Sequence, residues 1–166
     1  MSIAQSFLPE FDNEMATTRR LLALVPDGRA DWKAHPKSFS IGAIAAHLAT
    51  IPTWVTTAFS GTEFDFNPPG GPGFVRPTFK GTQATLEMFD ANAAAARAAI
   101  AAASDEDFAV NWSLKNNGQT QMTMSRVHCV RGFVLNHSIH HRGQLSVYLR
   151  LLDVPLPSIY GPTADT

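Results

Sequence analysis

The stretch from about Ser125 to Leu152 constrains the fold more than any other part of the chain. It carries helical spacing and is stopped by Pro155 and Pro157. At a rise of 1.5 Å per residue, a helix here spans roughly 40 Å. Helices of that length draw most of their stability from packing an apolar face against other elements. Three further helical stretches are present to receive it.

Residues 3–25 repeat apolar side chains at steps of three or four, through Ile3, Phe7, Phe11, Met15, Leu21, Leu22 and Val25. Pro26-Asp27-Gly28 ends that helix. After a loop containing Pro36, Ser38 or Ser40 can cap a second helix over roughly 40–59. Pro52 falls inside it and is expected to kink it or end it early, because proline removes a backbone donor. Residues 60–81 are dense in proline and glycine and read as a long loop, either a crossover connection or a flap carrying Phe64, Phe66, Phe74 and Phe79. The third helix, Thr82 to Ala103, is alanine-rich and buries Leu86, Phe89, Ala93, Ala96 and Ile100. Between 108 and 123, Val110, Trp112 and Leu114 alternate, and Asn117-Gly118 signals a tight turn, so a two-stranded hairpin is expected.

The expected fold is all-α. It is a four-helix bundle with a long crossover between helices 2 and 3, which would let those two run parallel, and a small β-hairpin before helix 4. With 166 residues and no linker break, residues 1–166 read as a single domain. The net charge is −1 and Arg19-Arg20 is the one adjacent basic pair, which disfavours nucleic-acid binding. No run is expected to reach the length of a membrane span, and the N-terminus lacks the pattern of a signal peptide. A lone cysteine, Cys129, fits a reducing cytoplasm and reads as a small buried hydrophobe. The alanine-rich third helix suggests a homodimer face.

Chemistry concentrates on the fourth helix, in LNHSIHHRGQLSVY. His137 and His141 are four apart and therefore share one helix face, where both rings can reach one ion. His140 lies about 100° around the helix and is a poorer ligand to that ion. His47, in the apolar stretch IGAIAAHLATIP, is the best third ligand, since a buried imidazole needs a partner for its polar nitrogens. Ser138 stands where a zinc hydrolase of the H-E-x-x-H type has its glutamate, so that chemistry is not indicated. Gln144 could orient a histidine, Tyr148 line the core or pocket, Arg142 anchor the tail or an acid, and Trp54 form core or pocket wall.

The segment HSIHHRGQLSVYLRLLDVPLPSIYGP resembles the C-terminal signature of the DinB/YfiT-like metalloenzyme family, and TRRLLALVPDGRADWKAHPKSFSIGAIAAHLATIP resembles its N-terminal half. This family is distinct from the DNA polymerase that shares the DinB name. The resemblance covers most of the chain and implies a four-helix bundle with a metal held by His47, His137 and His141. It also suggests that Tyr160, in the tail, closes over the site. Three imidazoles suit one divalent transition metal per chain (Zn, Ni or Fe) and leave a coordination position open. The function so implied is metal-dependent activation of a thiol or water, as in a transferase using a low-molecular-weight thiol with a small-molecule substrate. A non-catalytic metal-binding stress-response protein is the alternative.

Overall fold

Ser2 starts the first helix through a reciprocal cap. Its hydroxyl accepts from the Gln5 N–H at 3.2 Å, while the Gln5 side chain accepts from the Ser2 N–H at 2.9 Å. The computed structural model describes all residues, Met1–Thr166. Helix α1 runs Ile3–Leu22, and a short 3-10 turn follows at Asp27–Arg29. Helix α2, Ile41–Thr50, is capped by Ser40, whose hydroxyl accepts from the Ala43 N–H at 3.2 Å.

Pro52 divides the second helical stretch into α2 and α3, the latter Thr53–Ser60. Ile51 and Pro52 stay in helical backbone geometry. The break is therefore a tightened turn, in which Trp54 bonds back to Ile51 and Val55 to Pro52. Ile41–Ser60 taken together passes as a membrane span by length and composition alone, with mean hydropathy 1.2. The fold uses that apolarity internally, for 61% of the stretch is buried inside the protein.

The long loop is partly ordered into β1, Glu63–Asp65, which pairs in parallel with β2, Asn111–Asn116. β2 in turn pairs antiparallel with β3, Gln119–Ser125. The sheet thus has three strands, where sequence periodicity suggested two. A lone hairpin is marginal, and here Asp65 supplies the missing support. Its carboxylate accepts from the Asn67, Asn117 and Gly118 N–H groups at 3.0, 3.1 and 2.6 Å. Asn117 and Gly118 both adopt positive φ, 52° and 76°, as a two-residue hairpin turn of this twist requires. Phe108, expected in the hairpin, instead belongs to a short helix α5, Asp105–Ala109, capped by Ser104.

Helix α4 covers Thr82–Ala102. The last helical run is not uniform. It opens with a single turn α6, Arg126–His128, widens into a π-helix over Cys129–Asn136, and continues as α7, His137–Leu151. Positive φ at Asp153, 58°, and the following prolines end it.

Cross-helix contacts define the directions. α1 opposes α4, because Arg19 pairs with Asp90 and Arg97 with Asp12, each at 2.8 Å. α1 runs with the last helix, since Arg131 reaches Glu10 and Arg142 reaches the Glu14 carbonyl. α2 runs with α4. Asn92 donates to the Ala49 carbonyl at 2.8 Å, while Gly42 lies against Phe79, just before α4. The second and third long helical stretches are thus parallel. α2 and α3 oppose the last helix, with Cys129 beside the Trp54 carbonyl and His47 beside His137. The molecule is mostly helical with a small three-stranded sheet. Its main core draws on Phe11, Leu21, Ile44, Leu48, Phe89, Ile100, Leu145 and Leu149. A separate cluster of Ala58, Trp112, Leu114 and Cys129 sits under the sheet.

Candidate metal centre

His47 projects from the last turn of α2, and His137 and His141 from the first turns of α7. The opposed directions of those helices bring them to one level. The Nε2 atoms of His47 and His137 are 3.2 Å apart, and those of His137 and His141 are 2.9 Å apart. One ligand nitrogen from each ring lies within 4.8 Å of the other two. Metal–nitrogen bonds of 2.0–2.1 Å place neighbouring ligand atoms roughly 3 Å from one another. The spacing therefore fits a single ion.

Gln144 sharpens that fit. The Nδ1 of His141 lies 2.7 Å from the Gln144 side-chain oxygen, which can only accept. With the amide oriented this way, His141 carries its proton on Nδ1, and the neutral ring offers a lone pair at Nε2. The Gln144 amide nitrogen faces His140 at 3.2 Å. This is the outer hydrogen bond expected of a ligating histidine. In the ligating tautomers the three converging Nε2 atoms carry lone pairs that repel one another. A cation among them satisfies all three together.

Burial keeps the rings neutral. It is the main cause of a pKa near about 4 at His47, with His141, His137 and Arg76 lowering it further. Burial also lowers His137, aided by His141 and opposed by the Phe133 backbone. At His141 burial again lowers the pKa, with the Gln144 bond acting the other way. Neutral rings at pH 7 are the ligating form, so protons compete little for the site. His141 is buried, while His47 and His137 are half-buried, which leaves the cluster a route to solvent.

The π-helix matters to this placement. It ends at the residue before His137, and its wider turn resets the helical phase between Cys129 and the ligand pair. Such turns often accompany functional sites. On the same side, Trp54 meets Phe133 and Phe64 edge-on, with ring centroids at 5.9 and 5.8 Å. Trp54 follows His47 across the Pro52 break and Phe133 precedes His137 in the π-helix, while Phe64 comes from β1; all three are half-buried. Sequence reading named Trp54 but missed Phe133, whose only signal is its position four residues before His137.

Other residues separate from the centre. Tyr148 is buried and packs edge-on against Trp32 at 5.4 Å, so it is a core residue. Cys129 is fully buried, and burial pushes its thiol up to about 12. It is no nucleophile at neutral pH. Arg142 binds both an acid and the tail. It pairs with Glu14 at 2.5 Å, donates to the Glu14 carbonyl at 3.1 Å, and donates to the Tyr160 hydroxyl at 2.5 Å. The Tyr160 hydroxyl in turn donates a hydrogen bond to the Glu14 carboxylate at 2.8 Å. The tail tyrosine thus closes over this buried ion pair, and its hydroxyl is committed away from the histidines. Glu14 was missed in sequence, although an acid beside Phe11 and Met15 on an apolar stripe was a readable sign.

A search of curated protein sequences found no match. The fold resembles the crystal structure of a DinB-like protein from Bacillus cereus, with a TM-score of 0.73 and 19% identity over 96% of this chain and 98% of that one. It also resembles a DinB-like protein, YjoA, from Bacillus subtilis, with a TM-score of 0.69 and 16% identity over 95% and 99% of the two chains. The model of the DinB family matches residues 1–165. With helical architecture and family match in agreement over nearly its whole length, this chain belongs to the DinB family.

Proposed function

We propose that the chain is a metal-dependent enzyme that holds one divalent transition metal on His47, His137 and His141 and uses it to activate an exogenous thiol or water. The observation that carries this reading is the convergence of three neutral imidazole nitrogens at 2.9 and 3.2 Å in a half-open position. The helix directions support a single four-helix bundle over residues 1–166 whose second and fourth helices supply the ligands.

When bound, the metal supplies Lewis acidity that lowers the pKa of a thiol or water in its open position. The protein supplies the rest. Three neutral ligands leave the full charge of the ion in place, which favours an anionic fourth ligand. Gln144 holds His141 in the ligating tautomer. No carboxylate joins the three-histidine group, and Ser138 stands where the glutamate of an H-E-x-x-H site would be. Because Cys129 is sequestered, the nucleophile comes from solution. The exogenous thiol loses its proton to solvent, its sulfur bonds to the electrophilic carbon of a second substrate, and the leaving group departs with its bonding electrons. Trp54 and Phe133 offer apolar surface for that substrate.

Assay of the metal-loaded protein with several cellular thiols and a model electrophile tests the reading. Thiol transfer that disappears in His141→Ala supports it. No metal-dependent turnover with any thiol opposes it and favours a non-catalytic metal-binding protein. The exposed alanines of α4, Ala94, Ala95 and Ala98, suit a homodimer, and sedimentation of a monomer at high concentration would remove that element. The single buried thiol suits a cytoplasmic protein.

A further inference from the structure

The most deeply buried ion pair in the molecule sits one residue from a candidate ligand. The Arg142 and Glu14 side chains are 2% and 6% exposed and meet at 2.5 Å. In every other ion pair at least one partner is more than a third exposed. Replacing a buried pair with apolar residues of similar volume is often neutral or stabilising, so stability alone does not account for it. What it adds is direction, because the planar guanidinium holds its donors in a fixed fork. Arg142 also donates to the Glu14 carbonyl at 3.1 Å and the Thr18 hydroxyl at 3.4 Å, both on α1, and to the Tyr160 hydroxyl at 2.5 Å. The bond from Tyr160 to the Glu14 carboxylate closes the network on itself.

Helix α7 packs against both α1 and α2. Arg142 leaves it toward α1. His141, about 100° around the helix, leaves it toward His47 of α2, with ring centroids 4.7 Å apart. The charged anchor and the ligand are thus consecutive residues on one turn, aimed at different neighbours. Atoms at the outer radius of a helix lie roughly 5–6 Å from its axis, so a rotation of about 10° carries them about 1 Å. Metal–ligand distances tolerate about 0.2 Å. A rotation of a few degrees therefore exceeds that tolerance at His137 and His141.

We propose that Glu14 and Arg142, completed by Tyr160 of the tail, are positioning residues that fix the rotation of α7 and so hold His137 and His141 on one ion with His47. The proposal rests on the metal-centre reading above and assigns the buried ion pair to that centre.

Competition titration with a chromophoric chelator, on the full chain and well below its thermal midpoint, tests it. R142M/E14Q removes both charges together. It is expected to keep a midpoint close to the native one and to bind zinc at least about tenfold more weakly. L149A trims the apolar packing of the same helix two turns on and lowers the midpoint, yet should keep zinc affinity within about threefold. Unchanged affinity in R142M/E14Q, or equal losses in the two variants, overturns the proposal. Should R142M/E14Q not fold, R142K carries the test. Lysine keeps the charge without the fork, so a loss of about threefold or more supports the proposal and unchanged affinity overturns it. If the native chain binds no zinc, the metal reading fails by itself. The positioning role is then read in the metal-free protein from nuclear Overhauser contacts between the His47 ring and those of His137 and His141, whose centroids lie at 4.9 and 4.7 Å. Their presence in the native chain and loss in R142M/E14Q support it. Contacts absent from the native chain, or retained in the variant, overturn it.

Discussion

Substituting Gln144 with leucine isolates the part played by the outer hydrogen bond. The side-chain oxygen of Gln144 accepts from His141 Nδ1 at 2.7 Å, and its amide nitrogen faces His140 at 3.2 Å. Leucine keeps much of the volume but removes the acceptor. His141 is then free to adopt the tautomer with its proton on Nε2, where the lone pair is needed. Loss of such partners typically lowers metal affinity by about 10–100-fold, or roughly 1.4–2.7 kcal/mol. Q144L is therefore expected to weaken zinc binding within that range, read by competition with a chromophoric chelator at pH 7. Gln144→Glu keeps an acceptor and should retain affinity within a few fold, while His140→Ala should cost little because His140 lies at the outer end of the relay. An unchanged dissociation constant in Q144L would refute the tautomer argument. So would equal losses in Q144L and Q144E.

Three further outcomes follow from the packing and the titrating groups. Arg142→Met strands the Glu14 carboxylate in a buried position, so it should cost about 3–5 kcal/mol, a midpoint drop of more than roughly 6 °C; combining it with Glu14→Gln should recover most of that loss, and additive losses would count against a coupled pair. His47 has its ordinary value of 6.5 lowered to about 4 in the fold. As pH falls from about 6.5 to about 4 the unfolded chain takes a proton that the folded chain refuses, so the metal-free protein should lose stability across that window and regain it above. With the half-exposure of the ring discounted, the loss is on the order of 1 kcal/mol, and its absence from the difference between native protein and His47→Gln would contradict the assignment. Trp112 is fully buried and its Nε1 has no partner. Trp112→Phe removes that stranded donor and should cost clearly less than Trp112→Ala, for which about 3–5 kcal/mol is expected from thermal denaturation.

Much of this architecture was legible because helices announce themselves over many residues. The stripe Phe7, Phe11, Met15 and the alanine-rich α4 needed only periodicity, and Pro52 marked the break between α2 and α3 in advance. The Asn117-Gly118 turn was equally plain, since its backbone angles admit few residues. What escaped was non-local or lacked a period. β1 is three residues inside a Pro/Gly-rich loop, and its pairing with β2 depends on Asp65 meeting the hairpin turn some fifty positions away in sequence. The π-helix has no sequence pattern distinct from an apolar helix, so the phase between Cys129 and His137 could not be read from spacing. At the candidate centre, His137 and His141 followed from their four-residue interval, whereas His47 stood on burial and family likeness until the opposed helices brought the three together. Tyr160 was expected over the histidines and lies instead on Arg142 and Glu14, a partnership hidden by the distance of Glu14 in the chain.

Elemental analysis of protein purified without an affinity tag tests the central claim most directly. One divalent transition metal per chain is predicted for the native protein, falling to a small fraction in His47→Ala and His141→Ala while both variants remain helical by circular dichroism. Less than stoichiometric metal in the native protein, unchanged by either substitution, would contradict the three-histidine centre.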